Sequence, residues 1–343
     1  MKRKSIILLI LLHVSLSAFS QELLWKVGVH SFFDNKEFAG SSIDASGTMA
    51  GTHFAPQIGL SLEEKHRIYA GINLMHEFGS DKAIDFYDPI AYYEYDAKPF
   101  RFFMGAFPRT PLLNNYPRMF FQDSIRNYRP MVNGFFWELY NKNDYFNIWL
   151  DWTGRQSYTC REAFFMGWSG KYNYDVFYAQ HVGYMYHFAA STNPHISEPV
   201  QDNGLLLTSL GIDFSKKAGF EKLDATVGWS LGLEQDRGTG DGFQRHHGFL
   251  SEIKVEYKGL GLFNTFYKGE KLQMSYDRFG KSLYWGDTNY RSGQYNRLDG
   301  YIRFVKTNAV NIKFIYSLHF SEGDVFHGQA LYATFNLDNL KKK

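Results

Sequence analysis

The sequence predicts an all-β fold, a transmembrane antiparallel up-and-down β-barrel of about 16 strands with long external loops and short periplasmic turns. Three observations predict it. Aromatic residues make up 18% of the chain, yet no stretch beyond residue 20 is long and apolar enough for a membrane-spanning helix. Run after run alternates apolar and polar residues, the period of a two-faced strand. The connections between runs are long and short by turns along nearly the whole chain, as expected when one end of a barrel faces the periplasm and the other the outside.

The clearest run spans 309–320. Val310, Ile312, Phe314, Tyr316, Leu318 and Phe320 form an apolar row, and Asn311, Lys313, Ser317 and His319 lie between them, with Ile315 the one lapse. Successive strand side chains point to opposite faces. Such a strand reaches roughly 40 Å at ~3.3 Å per residue, enough to cross a bilayer core at a tilt.

Residues 1–20 read as a secretory signal. Lys2, Arg3 and Lys4 precede an apolar stretch that ends in Ala18-Phe19-Ser20, a small-x-small cleavage site. A retained anchor is the weaker alternative, because the run is short for a spanning helix. The expected division is a signal peptide, 1–20, and one outer-membrane barrel, 21–343. The predicted strands are 23–33, 52–62, 66–78, 88–96, 100–107, 131–140, 145–153, 162–171, 174–188, 204–214, 223–234, 247–257, 260–269, 298–306, 309–320 and 325–337. The segment 34–51 reads as the first long connection, and 108–130 as the third.

In a soluble β-protein the apolar rows would face a packed core and the charged rows water. That arrangement needs covering layers, and the chain has no amphipathic helix to supply one. In a barrel the apolar rows face lipid and the polar rows a lumen. Arg67, Glu77, Arg101, Asp151, Glu252, Lys254, Glu256, Arg303 and Lys313 then fall on the lumen side. Tyr92, Tyr93, Trp137, Tyr140, Trp168, Tyr184 and Tyr186 are candidates for interfacial girdles.

The formal charge of +2 falls to −1 once the three basic residues of the signal are removed, so nucleic acid is not an expected partner. Cys160 is the single cysteine, which rules out an internal disulfide and any Cys-based metal site. His246 and His247 near Asp241 are the one histidine pair that invites a metal, but such a pair in a polar loop is usually just part of a solvated loop. The glycine-rich stretch 238–242 lacks the Lys-Ser/Thr of a phosphate loop. No metal and no cofactor are expected.

The segment 108–130 reads PRTPLLNNYPRMFFQDSIRNYRP. Arg109, Arg118, Arg126 and Arg129 stand against a single acid, Asp123, and Leu112, Met119, Phe120 and Phe121 offer apolar anchors. Folded inward, it would be the pore constriction, and its arginines would favour anions. Left outside, its arginines would meet lipopolysaccharide phosphate or water.

As a third external connection of this kind, the segment resembles the inward-folding third loop of general bacterial porins. The resemblance covers the whole mature chain and is architectural, with no diagnostic motif. It implies an integral protein in the outer membrane of a Gram-negative bacterium, surrounded by outer-membrane lipid. It further implies passive diffusion of small polar or anionic solutes, and a homotrimer. One departure concerns the C-terminus. Bacterial barrels usually end in an aromatic residue, whereas here Phe335 and Leu337 are followed by Asp338-Asn339-Leu340 and three lysines. An enzyme is not expected, because no Ser/His pair with an orienting partner stands out. The alternatives are an occluded barrel whose loops bind a glycan or protein partner, and a barrel enzyme acting on lipid.

Overall fold

The computed structural model describes residues 21–193 and 198–340. The expected signal segment, 1–20, lies outside the described residues. The strands are β1 (Gln21–Glu37), β2 (Gly47–Leu62), β3 (His66–Glu77), β4 (Phe86–Ala97), β5 (Phe100–Pro108), β6 (Met131–Tyr140), β7 (Tyr145–Gly154) and β8 (Ala163–Tyr174). They continue with β9 (Phe177–Phe188), β10 (Gln201–Asp213), β11 (Lys222–Asp236), β12 (Gln244–Tyr257), β13 (Leu260–Gly269), β14 (Gln294–Lys306), β15 (Val310–Ser321) and β16 (Asp324–Asp338). Each strand pairs antiparallel with its sequence neighbours, and β1 pairs with β16 to close the barrel.

Closure runs from Lys26 opposite Asp338 to Glu37 opposite His327. Asn339 finishes the seam, accepting from the Trp25 N–H at 2.8 Å and donating to the Leu23 carbonyl at 2.8 Å. Lipid offers no hydrogen bonds, so a closed ladder is what lets these strands span it.

The alternation sets the two surfaces. On β15, Tyr316 and Phe320 are exposed on the outer wall, whereas Ile315, Ser317 and His319 are buried inside. On β11, Val227 and Trp229 are exposed and Asp224, Ser230 and Glu234 are buried. An exposed apolar row that meets lipid needs no partner from the protein.

Three expectations change. Half of the polar segment 34–51 is strand: Asp34–Lys36 pair with Gly47–Met49, because cross-strand hydrogen bonds hold strands together above the apolar band whatever their hydropathy. The last external connection is only Glu322-Gly323, bridging β15 and β16. Of the girdle candidates, Tyr93, Trp137 and Trp168 sit on outward positions, but Tyr92, Tyr184 and Tyr186 are buried on inward ones, and the Tyr140 hydroxyl bonds Asp96 inside. Parity along the strand decides this, and aromatic type does not.

The outward assignment of β15 has a measurable consequence. Phe314→Arg places a charge among lipid chains and should lower unfolding stability by about 2–4 kcal/mol in a denaturant titration in bilayers. Glu252→Gln, on the inner wall, should change it by no more than about 0.5 kcal/mol.

Candidate functional site

The middle of the lumen is occupied by two loops. Loop 3 (109–130) carries a short helix, α1 (Asp123–Tyr128), and turns inward so that Leu113, Tyr116, Met119, Phe120 and Asn127 are buried. Loop 7 (270–293) meets it from the opposite wall. The Gln122 N–H donates to the Trp285 carbonyl at 2.8 Å, and the Asp287 N–H to the Arg118 carbonyl at 2.9 Å. Gly286 permits this approach: a Cβ there would lie 2.1 Å from the Met119 carbonyl oxygen. Trp285 packs edge-on against Phe165 at 4.7 Å, and the Arg109 guanidinium lies 5.3 Å from its ring centre.

Charge fixes loop 3 to the wall. Arg118 Nε donates to both oxygens of Asp123 at 2.9 and 3.0 Å, and its Nη2 reaches Asp299 on β14 at 2.9 Å. Arg297 on β14 reaches Asp123 at 3.1 Å and Asp299 at 2.7 Å. Two cations and two anions thus close a ring between loop and strand. Burial pushes the Asp123 carboxyl up, but the guanidiniums of Arg118 and Arg297 outweigh it and hold the group well below the usual carboxylate range. Asp287 in loop 7 is likewise lowered, with burial opposed by Lys36 and Arg297. At its C-terminal end, loop 3 is tied by His53 Nε2 donating to the Asn127 carbonyl at 2.7 Å.

The constriction residues named from the sequence divide into two sets. Arg109 is buried and paired with Asp151, and Arg118 and Asp123 belong to the ring. Arg126 and Arg129 are exposed within the loop. The wall residues form local pairs around the circumference and do not come together in one site. Arg67 donates to Glu94 at 2.6 Å, Tyr128 donates to Glu77 at 2.7 Å, and Arg101 pairs with Glu138. Lys254 donates to Glu252 at 2.9 Å, Arg303 reaches Glu256 at 3.0 Å, and Lys313 lies 5.0 Å from the Tyr301 ring centre.

Two cavities flank loop 3. One, of about 480 Å³, lies beside β1–β3 and reaches the β14–β15 turn at Thr307–Ala309; the other, of about 460 Å³, lies beside β7–β13 and reaches Lys222. Both therefore extend to the end of the barrel that carries the short turns.

A different constellation sits on the outer wall at the loop end of β9 and β10. His187 is the penultimate residue of β9 and points outward, between the inward Tyr186 and Phe188. Its neighbour across the ladder is Asp202, the second residue of β10. His187 Nδ1–H donates to Asp202 Oδ1 at 2.8 Å, and Arg237 Nε donates to the other carboxylate oxygen at 2.7 Å. Phe164 packs on the His187 ring at 5.1 Å and stacks on Trp152 at 5.0 Å. The result is a carboxylate-oriented imidazole at the edge of an aromatic row, facing the lipid at the external rim. Chemically this is an oriented general base. Among the described residues, no serine or threonine hydroxyl is hydrogen-bonded to His187. The sequence hid this pair because the two residues lie on different strands, and only the β9–β10 register brings them opposite each other.

The histidines singled out from sequence stand elsewhere. His247 accepts from Trp229 Nε1 at 3.3 Å, and its backbone N–H donates to Glu270. Among the described residues, no cluster of His, Cys, Asp or Glu is suited to hold a metal ion.

The family model described as Lipid A 3'-O-deacylase-type matches residues 15–343. This overturns the expectation that the protein is not an enzyme, since the family is named for hydrolysis of an acyl ester. No curated protein matches the sequence. Among solved structures, the chain is similar to the loop-L8 deletion form of the Vibrio cholerae outer-membrane protein OmpT, at 7% identity and a TM-score of 0.53, covering 93% of this chain and 100% of that one. It is similar to OccK2 (OpdF) of Pseudomonas aeruginosa, at 9% identity and 0.53, covering 93% and 99%. It is also similar to OprB of Pseudomonas putida, at 8% identity and 0.51, covering 93% and 94%. These likenesses establish a shared fold, a closed antiparallel β-barrel like those of outer-membrane proteins.

The ion-pair ring gives a pH expectation. A carboxylate held below its unfolded value contributes stability that is complete above about pH 4 and is lost as pH falls through the depressed native value. Loop 3 should therefore resist pepsin at pH 4 and become cleavable only at markedly lower pH. Arg297→Met, which leaves Asp123 and Asp299 short of a partner, should cost about 3–5 kcal/mol and expose the loop at pH 4.

Proposed function

The chain belongs to the lipid A 3'-O-deacylase-type family, and from that premise we propose that it is an outer-membrane hydrolase that removes an ester-linked acyl chain from a glycolipid of the outer leaflet. The observation that carries the reading is the His187–Asp202 hydrogen bond on the lipid-facing wall. Asp202 holds the imidazole with Nδ1 protonated, which leaves Nε2 as the basic nitrogen. Water at the external rim is the nucleophile. His187 takes a proton from it as its oxygen attacks the ester carbonyl. The acyl C–O bond then breaks, and the proton passes to the departing sugar oxygen. The products are a fatty acid and a free hydroxyl. Trp152 and Phe164 supply an apolar flank along which the acyl chain lies.

A second reading rests on the two cavities beside loop 3. They support passage of small polar or anionic solutes, as in a diffusion channel, with loop 3 as the constriction. Stepwise conductance in planar bilayers supports this reading, and a silent barrel removes it.

The hydrolytic reading is tested in vesicles containing lipid A, with released fatty acid measured by mass spectrometry. His187→Gln should lower the rate by about 10²–10⁴-fold, the range of a general base, without altering the folded barrel's electrophoretic mobility. Release at the wild-type rate by a folded His187→Gln protein would exclude the dyad.

A further inference from the structure

Between loop 3 and the wall formed by β15 and β16 lies a third, smaller cavity of about 170 Å³. Arg109, Arg118, Gln122, Asp123, Arg126 and Lys313 all line it. The acids nearby are already engaged. Asp123 and Asp299 serve the ring, and Asp151 serves Arg109. Donors are left over. Arg109 uses Nε on the Arg129 carbonyl and Nη2 on Met131 and Asp151, and its Nη1 is buried without an acceptor. Arg118 uses Nε and Nη2 on Asp123 and Asp299, and its Nη1 is also buried without one. Gln122 Nε2 is a third such donor. Arg109 and Gln122 are only 6% and 5% exposed, so bulk water does not serve them. Lys313 lies against a tyrosine ring, and among the described residues neither Lys313 nor Arg126 has a carboxylate within ion-pair distance.

Buried donors in native proteins are almost always satisfied. Here three residues with such donors line one cavity, the lining carries an excess of positive charge, and each of these unmet groups is a donor. We propose that this cavity is a binding site for a small oxyanion, a phosphate or carboxylate group, that completes the hydrogen bonding of loop 3. The planar guanidinium forks of Arg109 and Arg118 suit paired oxygens, and Lys313 adds a point charge. A water occupies ~30 Å³ in the liquid, so the cavity has room for one oxyanion and its remaining hydration. Thr110, Asn114 and Arg126 are shared with the larger cavity beside β1–β3, which gives the ligand a path from the end with the short turns. The site lies inside the barrel, away from His187, and its existence does not depend on the hydrolytic reading.

The test is titration calorimetry of the detergent-solubilised full-length protein with inorganic phosphate, repeated with short-chain phosphatidic acid. Saturable one-to-one binding of either probe is expected. Phosphate alone identifies a free ion as the ligand, and phosphatidic acid alone a lipid headgroup. Lys313→Gln, at a position that takes no part in the ion-pair ring, should weaken binding by roughly tenfold or more, the loss of one charge-assisted hydrogen bond. Thermal unfolding of the wild-type protein with and without phosphate supplies a readout free of any variant, and its midpoint should rise with ligand concentration. Absence of saturable binding by both probes, or affinity unchanged in folded Lys313→Gln, overturns the proposal.

Discussion

The structure depends on one constraint: hydrocarbon cannot hydrogen-bond a peptide group. Every strand must find two neighbours, and the last must return to the first. The pairing of β1 with β16, continued by Asn339, meets that demand. Once the ring is closed, side chains divide by parity alone. The outer row is released from any need for protein contact, while the inner row must settle its charges within a confined space. The ion pairs around the wall, from Arg67–Glu94 to Arg303–Glu256, are local answers to that second problem.

Confinement also explains the two inward loops. A ring of this many strands encloses more volume than wall side chains fill. Loops 3 and 7 occupy it with Phe120, Trp285, Tyr290 and their neighbours, which pack with wall aromatics such as Phe165 and Tyr184. Aromatics account for much of this interior, so the composition serves two apolar surfaces, one toward lipid and one toward the plug. Ionic contacts then give the plug a fixed seat, because Arg118 and Arg297 each reach both Asp123 and Asp299.

Much of the barrel was legible in the sequence because its signal is local. Alternation within a run such as 309–320 is visible without knowing which strand lies beside it. Strand ends were less legible. Asp34 and Lys36 are polar, yet they remain in the ladder by virtue of partners on β2, and that register is not written in either run alone. Tyr184 and Tyr186 looked like girdle residues by type, but their inward parity and the arrival of loops 3 and 7 bury them. The candidate dyad was the least legible of all. His187 and Asp202 are separated by a long connection and become neighbours through pairing. The enzyme class lay equally out of reach, since it came from the family match and no run of residues announces it.

His187, held by the buried Asp202, lies on the outer wall and not in the lumen, and that orientation changes the relevant measure of concentration. A group on the outer wall encounters other molecules by lateral diffusion in a leaflet. What governs its encounters is the mole fraction of a lipid in the membrane plane, and dilution of the surrounding water leaves that fraction unchanged. Crowding by neighbouring barrels, or a change in leaflet fluidity, would act on this face directly. On the proposed hydrolytic reading, a fatty chain liberated there would stay in the phase it came from and would have no aqueous step to cross.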